Sequence, residues 1–252
     1  MKQRTNLCWV SVAVIALGCA TAYSARGDQN PAFAKANQDY SEGHFQEAVD
    51  GYQELVKSGQ WSANLFYDLG NAWFRLGNFG EAILNYERAL ALDPHHPEAA
   101  ANLALVRNEA RALELRRDGI EHYIEAGTST QYSIAASIAF WVVLFGAARL
   151  FFSRRRSAAL VSLIIFSTIV FVASIFALYS LETGSKGRDL AIVTGKNIEA
   201  RLATADNANS ILALPPGSEV KVLSQRGDWL YAALPNDLRG WIRANGAQRV
   251  RM

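Results

Sequence analysis

The chain has 252 residues, half of them hydrophobic, and a formal net charge of +2. That length allows one or two ordinary domains, but the apolar excess is gathered into three runs, which excludes a wholly soluble globular protein. The net charge hides a division: 28–125 holds 8 Lys+Arg against 16 Asp+Glu, net −8, and 182–252 holds 10 against 7, net +3, a balance that does not favour a nucleic-acid partner.

The chain opens on the basic segment Met1-Lys2-Gln3-Arg4, followed by an apolar run over 7–20 and the small-x-small sequence Ala20-Thr21-Ala22. This resembles a secretory signal peptide over 1–25. An uncleaved anchor is the alternative. Ala16-Leu17-Gly18-Cys19 offers a third, lipid attachment at Cys19. Cys8 and Cys19 both lie in this run, so no disulfide framework or metal set can be built from them.

Residues 29–126 read as helices. Over 63–96, Leu69, Gly70, Trp73 and Gly77 fall in one amphipathic helix and its end. Phe79, Ala82, Tyr86, Ala89 and Leu92 fall in a second, which Asp93-Pro94 stops. Gly70, Ala82 and Ala89 let the two helices approach closely. Gly43, Phe45, Glu47, Ala48 and Tyr52 stand 34 residues before Gly77, Phe79, Glu81, Ala82 and Tyr86. The spacing resembles the tetratricopeptide repeat, whose period is about 34 residues. Repeats are expected over 29–62 and 63–96, with a capping helix over 97–117. One unit cannot bury its apolar face alone, so stacking into a short α-solenoid of five helices is expected.

That resemblance implies a concave groove lined by the first helix of each pair. The outward positions are Asn64, Tyr67, Asn71, Phe74 and Arg75 in the second repeat, and Phe33, Asn37 and Tyr40 in the first. Glu98, Ala101, Asn102 and Leu105 follow in the half repeat. Asn37 and Asn71 coincide in register and are candidates to hold a partner's backbone amides, with Tyr67 and Phe74 adding apolar area. Helix packing is expected to need none of these four. Phe66, Trp73, Phe79 and Tyr86 read as core. His44 and His95-His96 fall in turns, and Glu121, His122 and Glu125 precede an apolar run; none of these sets makes a metal site by spacing.

The runs 132–152 and 158–179 are each long enough to span a bilayer as a helix. Ser153-Arg154-Arg155-Arg156-Ser157 joins them. Three arginines in so short a loop predict a cytoplasmic loop at 153–157, with both flanking domains on the other side. Arg149 is near enough to a span end to snorkel to the interface. Neither span carries an ionisable residue at mid-membrane, which argues against a transporter.

After a Gly/Ser/Lys linker the period becomes two. Val220 and Val222 alternate with Glu219 and Lys221, and Trp229, Tyr231 and Ala233 with Leu230, Ala232 and Leu234. Pro215-Pro216-Gly217, Arg226-Gly227-Asp228 and Pro235-Asn236-Asp237 punctuate these runs. Leu214-Pro215-Pro216-Gly217-Ser218-Glu219-Val220, Arg226-Gly227-Asp228-Trp229 and Arg239-Gly240-Trp241-Ile242 resemble the bacterial SH3-like domain over 189–252. Trp241 is expected in its core; Trp229 fits core or surface.

The expected fold is thus a multidomain membrane protein: α-solenoid, transmembrane helical hairpin and small all-β SH3-like barrel. This order of modules resembles the BatE family of the bacterial aerotolerance operon. The resemblance implies a bacterial inner-membrane protein with its repeats and SH3-like domain in the periplasm. It further implies neighbours that are von Willebrand A-domain membrane proteins and a MoxR-type ATPase, and no catalytic motif or cofactor. No phosphate-cradling loop, G-x-S-x-G or H-E-x-x-H is present. Two functions follow as expectations. One is a non-enzymatic scaffold binding proteins through two modules. The other is a cell-wall protein whose SH3-like domain contacts peptidoglycan while the repeats recruit a cell-wall enzyme.

Overall fold

The computed structural model describes residues 30–117, 119–152, 157–184 and 186–251. The expected signal or anchor over 1–25, and residues 153–156 of the arginine loop, lie outside the described residues.

Five helices form the solenoid: α1 (Pro31–Ser41), α2 (Phe45–Lys57), α3 (Ala63–Arg75), α4 (Phe79–Leu92) and α5 (Pro97–Ala110). The starts of α1, α3 and α5 are capped by side chains. Asn30 Oδ1 accepts from Ala32 N at 2.9 Å, and Ser62 Oγ accepts from Leu65 N at 3.1 Å. Pro31 and Pro97 fill first-turn positions, where a missing N–H costs nothing. Gly43 (φ 87°) and Gly77 (φ 72°) turn the chain inside each pair, a left-handed conformation a Cβ would strain. Gly70 lets α3 close on α4, because a Cβ there would stand 2.8 Å from the Tyr86 ring.

The helix expected over 97–117 ends at Ala110. Arg111 turns left-handed (φ 51°), and 112–117 continues without regular secondary structure. The cause is a competing partner. Leu113 O accepts from Glu219 N at 2.8 Å, Leu113 N donates to Ser218 Oγ at 3.1 Å, and Leu115 N donates to Glu219 Oε2 at 3.0 Å. Backbone groups that a helix would satisfy internally are satisfied by the C-terminal domain instead.

After the short α6 (Gly119–Glu125) come α7 (Ser129–Phe152) and α8 (Ala158–Thr183), of 24 and 26 residues. Both are long and apolar enough to cross a membrane. They pack as a hairpin through small residues: Ala136, Ala139, Ser167, Ser174 and Ala177 are buried, and Gly146 faces Ile164. Their large side chains, such as Ile138, Phe145, Phe166 and Ile169, are exposed. That is the reverse of a core helix in water. Ser137 and Thr168 turn their hydroxyls onto carbonyls of their own helices at 2.8 and 2.9 Å.

The C-terminal domain has seven strands: β1 (Leu190–Val193), β2 (Ile198–Arg201), β3 (Ser210–Leu214), β4 (Glu219–Arg226), β5 (Trp229–Ala233), β6 (Arg239–Arg243) and β7 (Ala247–Arg249). They pair antiparallel in the order β3-β2-β6-β5-β4-β1-β7, an open sheet with β3 and β7 at its edges. Every strand sends a side chain into one core, including Val193, Ala200, Leu214, Val222, Leu230, Ile242 and Ala247. The sheet therefore wraps around that core.

This domain docks on the end of the solenoid. Ile83, Leu84, Leu103 and Val106 share a cluster with Leu115, Leu190, Ile192 and Val250. Gln248 donates to Glu81 at 2.8 Å and Arg88 to Arg249 O at 3.1 Å. The hairpin lies between these partners in sequence. An even number of crossings is what allows the two to meet on one side of a membrane.

Gly80 of α4 marks a close approach of the helix to the β-domain backbone. A Cβ there would lie 2.9 Å from both Val193 O and Thr194 Cα. Helix propensity favours Ala over Gly by about 0.5–1 kcal/mol. The clash is with backbone, so overpacking of about 1–3 kcal/mol should reverse the sign. Gly80→Ala is expected to lower the melting temperature of the full chain in detergent. Gly119→Ala, where the Cβ meets nothing within 4 Å, should not. An unchanged melting curve for Gly80→Ala rejects the docked arrangement.

Candidate protein-binding face

The first helices α1, α3 and α5 succeed one another along one side of the solenoid. They carry the residues expected to line the groove, but several of these have work inside the fold. Tyr52 of α2 donates its hydroxyl to Asn37 Oδ1 at 2.7 Å, and Tyr86 of α4 donates to Asn71 Oδ1 at 2.7 Å. The two bonds occupy equivalent places in successive repeats. Asn71 Oδ1 also accepts from Asn102 Nδ2 at 3.0 Å, which reaches Tyr67 Oη at 3.4 Å. Burial pushes both tyrosine hydroxyls far above their ordinary range, so they stay protonated donors. The expectation that helix packing needs neither asparagine is therefore corrected. A buried phenol must find an acceptor, and the helix across the pair supplies it.

The aromatic candidates are half-buried. Tyr67 lies between Tyr86 (6.1 Å between ring centres) and His96 (5.0 Å), and Phe74 lies against Phe79 (6.0 Å). Tyr40 meets Phe45 edge-on at 5.4 Å, with the Arg75 guanidinium 4.5 Å over that Phe45 ring. Phe33, expected outward, is buried against Tyr52. Asn37, Asn64, Arg75, Glu98, Ala101 and Leu105 are exposed, Leu105 to 53%. The free surface is thus narrower than the sequence pattern suggests. His96 has a role the sequence concealed: its Nδ1 caps α5 by accepting from Ala99 N at 3.3 Å.

In the β domain Trp241, expected in the core, lies on the outer face instead, while Trp229, which fitted either place, is covered. Trp229 is 8% exposed beneath the Arg243 guanidinium, 4.4 Å from its ring, while Trp241 is half-buried against Tyr231 at 5.0 Å. Strand alternation is the reason. Leu230, Ala232 and Ile242 point into the core, so Trp229, Tyr231, Trp241 and Arg243 share the outer face.

A buried charge cluster joins the domains and had no signal in the local pattern. Arg107 Nη2 lies 2.5 Å from Glu87 Oε1 and also bonds Glu219 Oε1. Arg117 Nη2 stands 3.8 Å from Glu219, which is 1% exposed. Burial pushes the Glu219 carboxyl upward, opposed by the Arg107 charge. Among the described residues no three His, Cys, Asp or Glu side chains gather as a metal site.

The tetratricopeptide repeat family matches residues 63–96, which are α3 and α4. The solenoid carries tetratricopeptide repeats. Human tetratricopeptide repeat protein 16 is 31% identical over 78 residues, 31% of this chain and 9% of that protein. The chain therefore spans less than a tenth of that relative's length. Tetratricopeptide repeats are protein-interaction modules, and helix stacking leaves one face of each repeat open to a partner.

Two outcomes are expected here. Asn71→Ala strands the buried Tyr86 hydroxyl and should destabilise by about 1–3 kcal/mol in denaturant unfolding. Asn64→Ala should stay within about 0.5 kcal/mol. If both are silent, the ladder contributes nothing. The second concerns pH. The folded-state pKa of Glu219 lies above its unfolded value, so the folded chain holds this proton more tightly. The contribution is complete below the ordinary glutamate range and is lost as pH rises through the raised value. The stability of wild type relative to Glu219→Gln should fall as pH rises from about 4 to about 8. A flat or rising difference contradicts it.

Proposed function

We propose that this chain is a non-enzymatic, membrane-anchored scaffold that holds protein partners along the open face of its tetratricopeptide repeats. The observation that carries this reading is the division of the solenoid's surface. The β domain takes α4 and the end of α5, while Asn64, Arg75, Ala101 and Leu105 on α3 and α5 stay exposed. The similarity to the BatE family suggests von Willebrand A-domain membrane proteins and a MoxR-type ATPase system as partners, in an aerotolerance or stress-related complex. It also suggests a bacterial inner membrane, with the repeats and SH3-like domain periplasmic. Three arginines at 154–156 agree with that orientation under the positive-inside rule.

A second reading has its own support. Tyr231 and Trp241 stand side by side on the outer sheet face, with Arg239 and Arg243 on the same strand as Trp241. Aromatic faces with flanking guanidinium groups suit a glycan bearing carboxylates, and peptidoglycan is such a polymer.

Leu105→Glu with Asn64→Arg should leave the solenoid folded, because both positions are exposed. A lost hot spot is typically worth about 2 kcal/mol, so capture of a membrane partner from detergent should fall about 30-fold. Retention of wild-type capture places the contact elsewhere. Sedimentation with purified peptidoglycan separates the second reading: binding that Trp241→Ala abolishes supports it.

A further inference from the structure

A cleft of about 650 Å³ lies where the solenoid, the hairpin and the β domain meet. Its walls come from the end of α4 (Leu90, Leu92), from the first turn of α7 (Ser129, Thr130) and from the last turn of α8 (Leu178, Leu181). Lys186 and Arg251 complete it. The start of α7 and the end of α8 are the two ends of the hairpin on one side, so both stand at one level of the bilayer. The cleft includes both ends and therefore opens in the headgroup layer. On α6, which leads into α7, Ile120 and Tyr123 are 65% and 79% exposed, as side chains resting in that layer would be.

The lining is amphiphilic in an ordered way. Leu178, Leu181 and Ile124 continue the apolar surface of the hairpin upward. Above them the charges are of both signs: Lys186 and Arg251 against Glu87, Glu121 and Glu182, with Glu182 paired to Arg188 and, at 3.1 Å, to Arg251 Nη1. A headgroup of net negative charge would meet the carboxylates as well as the cations. A headgroup carrying both a phosphate and an amine complements both. We propose that this cleft holds the headgroup and upper acyl chain of a zwitterionic, amine-bearing phospholipid drawn from the adjacent leaflet. Its phosphate faces Lys186 and Arg251, and its amine faces Glu121 and Glu182. The inference rests on the reading that the hairpin crosses a membrane.

The test uses the full chain, expressed in cells and first fractionated. Recovery from the soluble fraction would overturn the membrane reading, and this site with it. From the membrane fraction, the chain is purified in mild detergent with equal phosphatidylethanolamine, phosphatidylglycerol and phosphatidylcholine, and retained lipid is counted by native mass spectrometry. One retained molecule per chain is expected, with phosphatidylethanolamine favoured about tenfold, a difference of 1.4 kcal/mol. Ala91→Phe fills the cleft from an exposed helix position, and Lys186→Ala removes the cation without disturbing the core. Each should lose the retained lipid while keeping the wild-type melting temperature. No retained lipid, preference for phosphatidylglycerol, or equal retention by both variants would overturn the proposal.

Discussion

Arg107 stands between two carboxylates from different parts of the chain, Glu87 of α4 and Glu219 of β4. All three are buried. Transferring such groups from water is expensive, and removing one partner from a buried pair typically costs about 3–5 kcal/mol. The cluster is thus weak as a source of net stability and strong as a constraint. Undocking the β domain would leave Glu87 and Arg107 with one carboxylate fewer, and would uncover Ile83 and Leu84 as well. The apolar surface shared by Leu190, Ile192 and Val250 supplies the attraction, and the ions fix where it is satisfied.

The same contact explains how so short a solenoid ends. Repeat arrays bury their faces on neighbours, so the last repeat needs a covering element. Five helices leave α4 and α5 with an uncovered side. A sixth helix over 111–117 would be the local solution. Instead Arg111 breaks the helix, and 112–117 passes beside the start of β4, where Glu219 supplies both a backbone donor and a carboxylate acceptor. The β domain does the work of the cap, which makes the domains one packing unit rather than two on a tether.

The helix pairs, the spans and the strands were legible because each rests on a period: 34 residues for the repeats, long apolar runs, and alternation in two. Interactions between units have no period. Glu87 reads as an exposed helical glutamate, and only the unbroken burial of 82–87 in α4 marks a third neighbour. Glu219 reads as an outward residue of an alternating strand, yet it is 1% exposed because its outward side faces the solenoid. Asn37 and Asn71 were legible in position but not in role. Their register marked them, but not the tyrosine fifteen residues on that each one holds. Trp241 and Trp229 fit a core equally well by type; strand phase puts both on the outer face, and the Arg243 guanidinium over its ring is what covers Trp229.

These constraints bear on which partners the open face can meet. Six residues separate the end of α8 from β1, and the β domain is tied back to that helix end. Lys221 Nζ donates to Thr183 O, and Glu182 binds both Arg188 and Arg251. Because the β domain is in turn fixed to α4 and α5, the solenoid has little freedom to swing from the helix that emerges from the bilayer. A flexible linker would let the groove sample a wide volume and meet soluble partners at any height. A groove held close above the bilayer instead favours ligands that are themselves membrane-borne. The ordering entropy of bringing two such molecules together is already reduced by their common plane, so the contact proposed at Leu105 and Asn64 would need only a modest area for useful capture.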